Sequence, residues 1–595
     1  MTIPRAEISD PLHHRPAWRT LNGRWDFAVD QDVLIRPGKD QSVGTCPGAV
    51  PDFSRSILVP YPPQSDRSGV ELKGEHPILW YRRTFDLDRR ETDGRVWIVF
   101  GAVDHTCKLW INGEFTAMHR GGYSPFRSDI SSLVRPGPNE ILLRVEDRRD
   151  PEQARGKQSW QAPFSCWYTE NSGIWQSVRL EFTPTVAIDD VHHTATVTEV
   201  TGTNRGSGYL DVHVQPSAPA SGSITVAITG EDLTETIQHE IVYPVTPLRI
   251  DIDDVPLWSP ESPHLVNIEV IMTTAAGVDV IRTYAGFRRV EIRDGMLHLN
   301  GAPHYQRLVL DQGHWPDGLF TAPDDESIRR DIELAISMGF NGCRKHAKIE
   351  DPRFYYWADK LGYLVWEELP PAYRFTPAAE RNLVNLVLAM VRRDRMHPSV
   401  IAWTLFNESW GVPNIHTDPD QQTFVRSLIE TVRSLDPTRL VVGNDGWEHV
   451  GGDVYGLHSY ASTSEELEGD LDIAFGHESR TPPEQTLSNG RLFQTRHDVP
   501  EGLLNMITEF GGTGYRAPDD HRQDVWGYDN LAESPEDLLE RTSALVETVR
   551  NKPGLAGFVY TQLTDVEQEV NGLCFSDRRP KINIPEIRRV IIGKT

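Results

Sequence analysis

From about residue 290 onward the chain repeats one pattern: a short apolar run, a stretch with helical periodicity, then another apolar run. The apolar runs fall at 304–310, 342–346, 364–367, 400–406, 440–442, 454–457, 506–509 and 557–562. Helical stretches at 325–338, 351–361, 378–395, 420–435 and 535–551 lie between them. Short buried strands alternating with helices build a parallel sheet, and eight of them in one region predict a closed (β/α)8 barrel over 290–595. This constrains function at once, because the chemistry of such a barrel sits where its strands end.

The text before residue 290 has a different rhythm. Up to about residue 183 there are short strand-like runs (25–29, 80–85, 95–100, 108–111, 141–145, 177–182) broken by turns, one of them Asn112-Gly113. Strands at that spacing predict a jelly roll over 1–183, with Asn112-Gly113 as a hairpin turn. Residues 184–289 are richer in Thr, Val and Ile and poor in aromatics, which predicts an immunoglobulin-like β-sandwich. Near its end, 257–263 reads as a rigid surface loop.

A chain of 595 residues exceeds a single core, in keeping with three domains. Its net charge is 60 − 86 = −26, without a basic cluster, which disfavours nucleic acid as a partner. Five scattered cysteines without a CxxC suggest neither a disulfide framework nor a zinc site. The first residues lack an apolar signal core, and no run of eighteen apolar residues occurs; the expectation is a cytoplasmic protein without a membrane partner. No organic cofactor and no catalytic metal are expected, while a structural metal and a homo-oligomer are left open.

The ends of the barrel strands break into polar groups one after another: Arg344-Lys345-His346, Trp366-Glu367-Glu368, Asn407-Glu408-Ser409-Trp410, Asn444-Asp445, His458-Ser459-Tyr460, Thr508-Glu509-Phe510 and Tyr560-Thr561-Gln562. Packing does not require this, whereas a polar cup does. Glu408 and Glu509 each follow a buried run directly, on the fourth and seventh strands, which face each other across a barrel. Cleavage of a glycosidic bond needs such a pair, one carboxyl protonating the leaving oxygen and the other attacking the anomeric carbon. Asn407 is placed to hydrogen-bond the sugar 2-hydroxyl. His346, His458, Trp410, Tyr460 and Gln562 complete the expected substrate contacts, together with Glu367 and Glu368, either of which could equally pair with Arg344.

The residues that carry most of this reading resemble glycoside hydrolase family 2. The resemblance spans nearly the whole chain and is most specific at His397-Pro398-Ser399-Val400 running into Phe406-Asn407-Glu408-Ser409-Trp410-Gly411, and at Thr508-Glu509-Phe510-Gly511. Leu21-Asn22-Gly23-Arg24-Trp25, Ser172-Gly173-Ile174-Trp175-Gln176 and Gly286-Phe287-Arg288 support it. It implies Glu408 as acid/base, Glu509 as nucleophile, and Arg344, His346 and Asn407 as substrate ligands. By the same resemblance the activity is retaining exo-hydrolysis of oligosaccharides or glycosides from the non-reducing end. A β-galactosidase-like specificity is the default, with β-glucuronidase, β-mannosidase and α-L-arabinosidase as alternatives. A non-catalytic carbohydrate-binding relative would be expected to lose one of the two glutamates, and this chain has both.

Three departures bear on the sugar. Trp167 stands where β-galactosidases and β-glucuronidases of the family place a sugar-binding Asp, Tyr560 stands for the usual Trp, and the Asn-x-Lys pair that holds a glucuronate carboxylate is not visible. Trp167 is therefore expected at the glycone site. Asp311, in the segment after the first strand, and the loop Arg155-Gly156-Lys157-Gln158-Ser159-Trp160 are candidates to supply the missing polar contact.

Overall fold

The computed structural model describes residues 3–30, 50–476, 486–493, 502–518, 520–522 and 524–593. Near the N-terminus, a six-stranded and a four-stranded antiparallel sheet face each other. The larger is built around Ile78–Leu87 and Gly137–Glu146, the smaller around Arg95–Phe100 and Val178–Thr183. Their inward residues, among them Trp25, Phe27, Tyr81, Phe100, Ile111 and Leu180, form one core. The Asn112-Gly113 turn has both residues at positive φ, 51° and 86°, the geometry of a tight hairpin matched to the strand twist.

Residues 186–288 form a second sandwich of a three-stranded and a four-stranded sheet with an aliphatic core. The strand Arg205–Pro216 alternates between buried and partly exposed positions, as one covered face requires. The segment 257–263 is not a surface loop. Trp258 is fully buried and donates its indole N–H to the Asp359 carbonyl at 2.8 Å, so the segment docks the sandwich on the barrel. Asp359 also accepts from Tyr284 Oη (2.8 Å) and from the Ser399 amide (2.9 Å), and lies 2.6 Å from His397 Nδ1. The His-Pro-Ser motif is thus a joint between domains.

The third unit is the barrel. Its strands are β1 (Gln306–Asp311), β2 (Gly342–Lys345), β3 (Leu364–Glu368), β4 (Val400–Asn407), β5 (Leu440–Asp445), β6 (Val454–Ser459), β7 (Leu504–Gly511) and β8 (Gly557–Thr561). The hydrogen-bonded order is β5-β4-β3-β2-β1-β8-β7-β6, all parallel. The end strands lie side by side, with the His458 amide 3.3 Å from the Gly446 carbonyl, so the sheet all but closes. The antiparallel strands Val290–Arg293 and Met296–Leu299 precede β1 and cap the floor, where Leu297 joins Leu310, Trp366, Val442, Met506 and Val559 in one cluster.

Seven helices are described: α1 (Asp325–Ser337), α2 (Pro352–Leu361), α3 (Pro377–Asp394), α4 (Pro419–Leu435), α5 (Ser464–Phe475), α6 (Pro535–Asn551) and α7 (Ile584–Ile592). Most of them begin on a side-chain cap, as where Thr376 accepts from the Ala379 amide and Ser534 from that of Asp537. The sequence pattern missed α5 and α7. No described helix is long and apolar enough to cross a membrane. Cys107, Cys166, Cys343 and Cys574 are buried free thiols, and Cys46 lies outside the described residues.

Candidate active site

β4 is buried along its whole length and ends in a sharp turn. Glu408 and Ser409, both non-glycine, adopt left-handed φ of 51° and 61°. Such residues cost about 1–3 kcal/mol each and persist only where the surroundings hold them. Here the Glu408 amide donates to the Asp445 carbonyl (3.0 Å), the Ser409 amide to Asn444 Oδ1 (3.0 Å) and Ser409 Oγ to Glu448 Oε2 (2.5 Å). The turn swings the Glu408 side chain out of the strand to the barrel mouth, where it is 19% exposed.

Glu509, on β7, faces it. Its Oε1 accepts from Arg344 Nη1 at 3.1 Å, and its Oε2 takes the Tyr460 hydroxyl in a short hydrogen bond. Burial favours the neutral acid, but His458, Arg344, His346 and the Tyr460 hydroxyl outweigh it and hold the Glu509 carboxyl below its ordinary range. One oxygen of Glu408, one of Glu509 and Nδ1 or Nε2 of His458 all lie within 4.8 Å of one another. Among the described residues this is also the one group whose spacing could hold a cation. Arg344 already supplies positive charge there.

Beneath the carboxylates lies a fully buried network centred on Arg344, whose Nε donates to Glu368 Oε2 (2.6 Å) and Nη2 to Asn407 Oδ1 (2.6 Å), while Nη1 also lies 2.7 Å from Asp445 Oδ2. Because Asn407 turns its oxygen to Arg344, its Nδ2 donors have no protein partner. His458 spans the two carboxylate layers, with Nδ1 3.0 Å from Glu408 Oε1 and Nε2 3.3 Å from Asp445 Oδ2. Burial lowers its affinity for a proton, yet Glu509, Asp445 and Glu408 together raise its pKa to about 10. The resulting imidazolium tolerates Arg344 Nη1 at 3.1 Å because carboxylates surround both cations. Arg344, expected as a substrate ligand, is wholly buried with its donors turned to protein acceptors. His346, buried beside Trp410, has Nδ1 3.1 Å from Glu368 Oε1 and 4.0 Å from Glu509.

The rim is aromatic. Trp410 stands 5.6 Å from Trp167 and 6.1 Å from Tyr373, ring centre to ring centre, and the Trp167 indole donates to Tyr373 Oη at 3.1 Å. The jelly-roll loop therefore reaches the mouth, as expected for Trp167. It is stitched to the barrel through the Arg155 amide on the Pro371 carbonyl (3.0 Å), Gln568 Nε2 on the Ser165 carbonyl (2.7 Å) and Tyr168 Oη on Glu569. On the outer side of Glu408, Tyr373, Trp410, Trp447 and Arg491 line a cleft of about 400 Å³.

Three further residues expected as substrate contacts turn away from the barrel mouth or are enclosed by protein partners. Glu367 is fully buried and points from β3 toward α3, beside Asp394, because successive strand residues face opposite sides. It is its neighbour Glu368 that faces the mouth. Asp311 is held by Lys345 Nζ at 2.8 Å and by the Gly313 amide at 2.8 Å, a buried ion pair behind the barrel wall. Gln562 is fully buried between Gln312 and Asn571, each 2.7 Å away. Sequence reasoning did not select Asp445 or Tyr528, while Glu368 makes the pairing with Arg344 that was open to either glutamate. The period-two alternation of β3 could have separated Glu368 from Glu367, whereas Tyr528, stacked on Tyr460 at 3.4 Å, comes from a loop without a pattern.

Comparison with known proteins agrees with this geometry. Residues 18–184 match the sugar-binding domain of glycosyl hydrolases family 2, 186–288 the domain described simply as glycosyl hydrolases family 2, and 290–467 the TIM barrel domain of that family. Among curated relatives, a β-galactosidase from Enterobacter cloacae is 26% identical over 71% of this chain, and one from Pectobacterium atrosepticum is 27% identical over 71%. The matched part spans only 42% of the length of each of them. Among solved structures, a Bifidobacterium dentium β-glucuronidase superposes with a TM-score of 0.79 at 18% identity, covering 98% of both chains. A GH2 β-galacturonidase from Eisenbergiella tayi gives 0.74 at 19% identity, again over 98% of each; both are likenesses of fold. With its three domains matched in order, the chain belongs to family 2 of the glycosyl hydrolases.

Proposed function

We propose that the chain is a retaining, exo-acting glycoside hydrolase in which Glu509 is the nucleophile and Glu408 the acid/base. The observation that carries this is the approach of the two carboxylates to within 4.8 Å. Retaining enzymes hold the pair about 5–5.5 Å apart, whereas an inverting enzyme needs about 6.5–9.5 Å to admit a water between them.

The chemistry follows from the surroundings of each group. Glu509, kept anionic by Arg344, His458 and Tyr460, attacks the anomeric carbon while Glu408 transfers its proton to the departing oxygen. This leaves a glycosyl ester on Glu509 and a carboxylate at position 408. That carboxylate then takes a proton from water, whose oxygen attacks the same carbon and releases Glu509. The free amide N–H groups of Asn407 suit a sugar hydroxyl beside the reacting carbon. The jelly-roll loop with Trp167 stands over one side of the mouth, which favours a terminal sugar over an internal one. A β-galactoside is the first glycone to try, with the β-glucuronide, β-mannoside and α-L-arabinoside after it.

The test is the configuration of the first-formed sugar, followed by proton NMR during hydrolysis of an aryl glycoside. Release of the anomer that matches the substrate supports the reading, and release of the opposite anomer overturns it.

A further inference from the structure

Three cationic side chains are buried around the mouth. Arg344 and His458 spend their donors on carboxylates. Lys157 does not. It comes from the jelly-roll loop, is 6% exposed, and follows Gly156, whose carbonyl accepts from Tyr373 Oη on the cleft that Glu408 also lines. Burial opposes that charge, but Glu569 and the other anions around it prevail, so the ammonium stays protonated above its ordinary range.

The carboxylate closest to it, Glu569 Oε2, stands off at 3.9 Å, too far for a hydrogen bond. Glu569 has no need of it. The Glu569 side chain is fully buried and already takes Tyr168 Oη on Oε2 and Asn571 Nδ2 (3.0 Å) on Oε1. The Tyr168 ring lies 5.2 Å from the ammonium and supplies no acceptor along that side. Among the described residues, then, Lys157 Nζ keeps its charge and has no hydrogen-bond acceptor within reach. An ammonium whose donors meet no protein acceptor can offer them to water or to a ligand.

We propose that Lys157 is a specificity-determining residue that grips an oxygen acceptor on the rim of the non-reducing sugar while that sugar occupies the space between Glu408 and Glu509. This rests on the glycosidase reading above. It gives the jelly-roll loop a polar role that Trp167, whose only donor is spent on Tyr373, does not fill. An ammonium is a donor-only group, so the acceptor is a sugar hydroxyl oxygen or the carboxylate of a uronosyl residue. Both offer the same chemistry to Nζ, and the substrate series below separates them.

The experiment measures kcat/KM of the full chain and of Lys157→Met and Lys157→Arg on three kinds of aryl glycoside. These are the preferred one, its monodeoxy derivatives at each glycone position, and its C6-carboxylate counterpart. Melting temperature serves as the control for folding. A hydrogen bond to a charged donor is worth about 10- to 100-fold, so Lys157→Met is expected to lose that much on the parent glycoside, with partial recovery in Lys157→Arg. One deoxy position should cost the native chain about 10-fold or more and Lys157→Met less than about 2-fold, the coupling expected of groups in contact. If instead only the carboxylate substrate shows that coupling, the acceptor is the uronosyl carboxylate. The proposal is overturned if every deoxy position and the carboxylate cost both proteins the same factor, since Lys157 then acts only on its protein neighbours. A native chain that turns over no glycoside would defeat the glycosidase reading, and this proposal with it.

Discussion

On β3 two glutamates stand side by side, both fully buried, Glu368 turned to the mouth and Glu367 to the helices. Glu368 meets Arg344, His346 and the Ala347 amide. Burial works against its charge, but Arg344 and His346 overcome this and bring its pKa down to about 2. Glu367 meets Asp394 instead; burial and that carboxylate push its pKa well above the usual range, with Arg393 only partly compensating. One step along a strand separates a charged support of the catalytic layer from a neutral carboxyl in the packing layer. The inner face of the barrel is arranged to keep charge, and the outer face to bury it.

If that division is right, substitutions on the two faces should differ in kind. The largest effect is expected for Glu509→Gln on the inner face, which removes the proposed nucleophile. Turnover should fall by about 10⁵-fold or more while the fold survives, because Arg344 keeps Glu368 and Asp445 as partners. Activity close to that of the native chain would remove Glu509 from the mechanism. Next is Glu408→Ala. Glycosides with poor leaving groups should lose about 10²–10⁴-fold, and activated aryl glycosides much less, since they need little protonation. Azide should restore part of the loss and give a glycosyl azide of retained configuration; equal losses for both substrate classes would contradict the acid/base role.

On the outer face the effects should be smaller and should spare activity. Asp311→Asn leaves Lys345 with only Glu350, at 3.3 Å, in a buried site. A cost of about 3 kcal/mol is expected, read as a melting temperature lower by about 5 °C, with kcat within about 2-fold of the native value. A large loss of kcat at unchanged stability would return Asp311 to the substrate. The smallest effect is that of Glu367→Gln. Since the folded chain holds this proton where the unfolded chain releases it, Glu367 makes stability fall as pH rises above about 4.3, the ordinary glutamate value. The variant should lose less melting temperature than the native chain between about pH 5 and pH 8. A steeper loss in the variant would mean that Glu367 is charged in the folded state.

The architecture was legible in the sequence because strand and helix periodicity are local, and so was the meeting of Glu408 and Glu509 at the mouth, each directly after a buried run. What the sequence concealed depends on direction and on distant partners. Glu367 and Glu368 are adjacent letters, and only the side-chain alternation of β3 tells which enters the mouth. Asp311 looks free until Lys345, from the next strand, is seen to hold it. Arg344 sits at a strand end like a ligand, yet four acidic or amide side chains, Glu368, Asp445, Glu509 and Asn407, enclose it. Lys157 lies in a loop of another domain that the sequence offered only as a whole, and nothing local singles it out among its neighbours.

The central claim, that Glu509 carries the sugar between the two half-reactions, is tested most directly by an activated 2-deoxy-2-fluoro glycoside of the preferred sugar. The electron-poor ring slows release of the intermediate more than its formation, so the covalent species accumulates. Proteolysis and mass spectrometry should then find one added glycosyl group, on the peptide that contains Glu509, and none in Glu509→Gln. Time-dependent inactivation with the label on another residue, or hydrolysis of the parent glycoside without any labelled enzyme, would contradict the account.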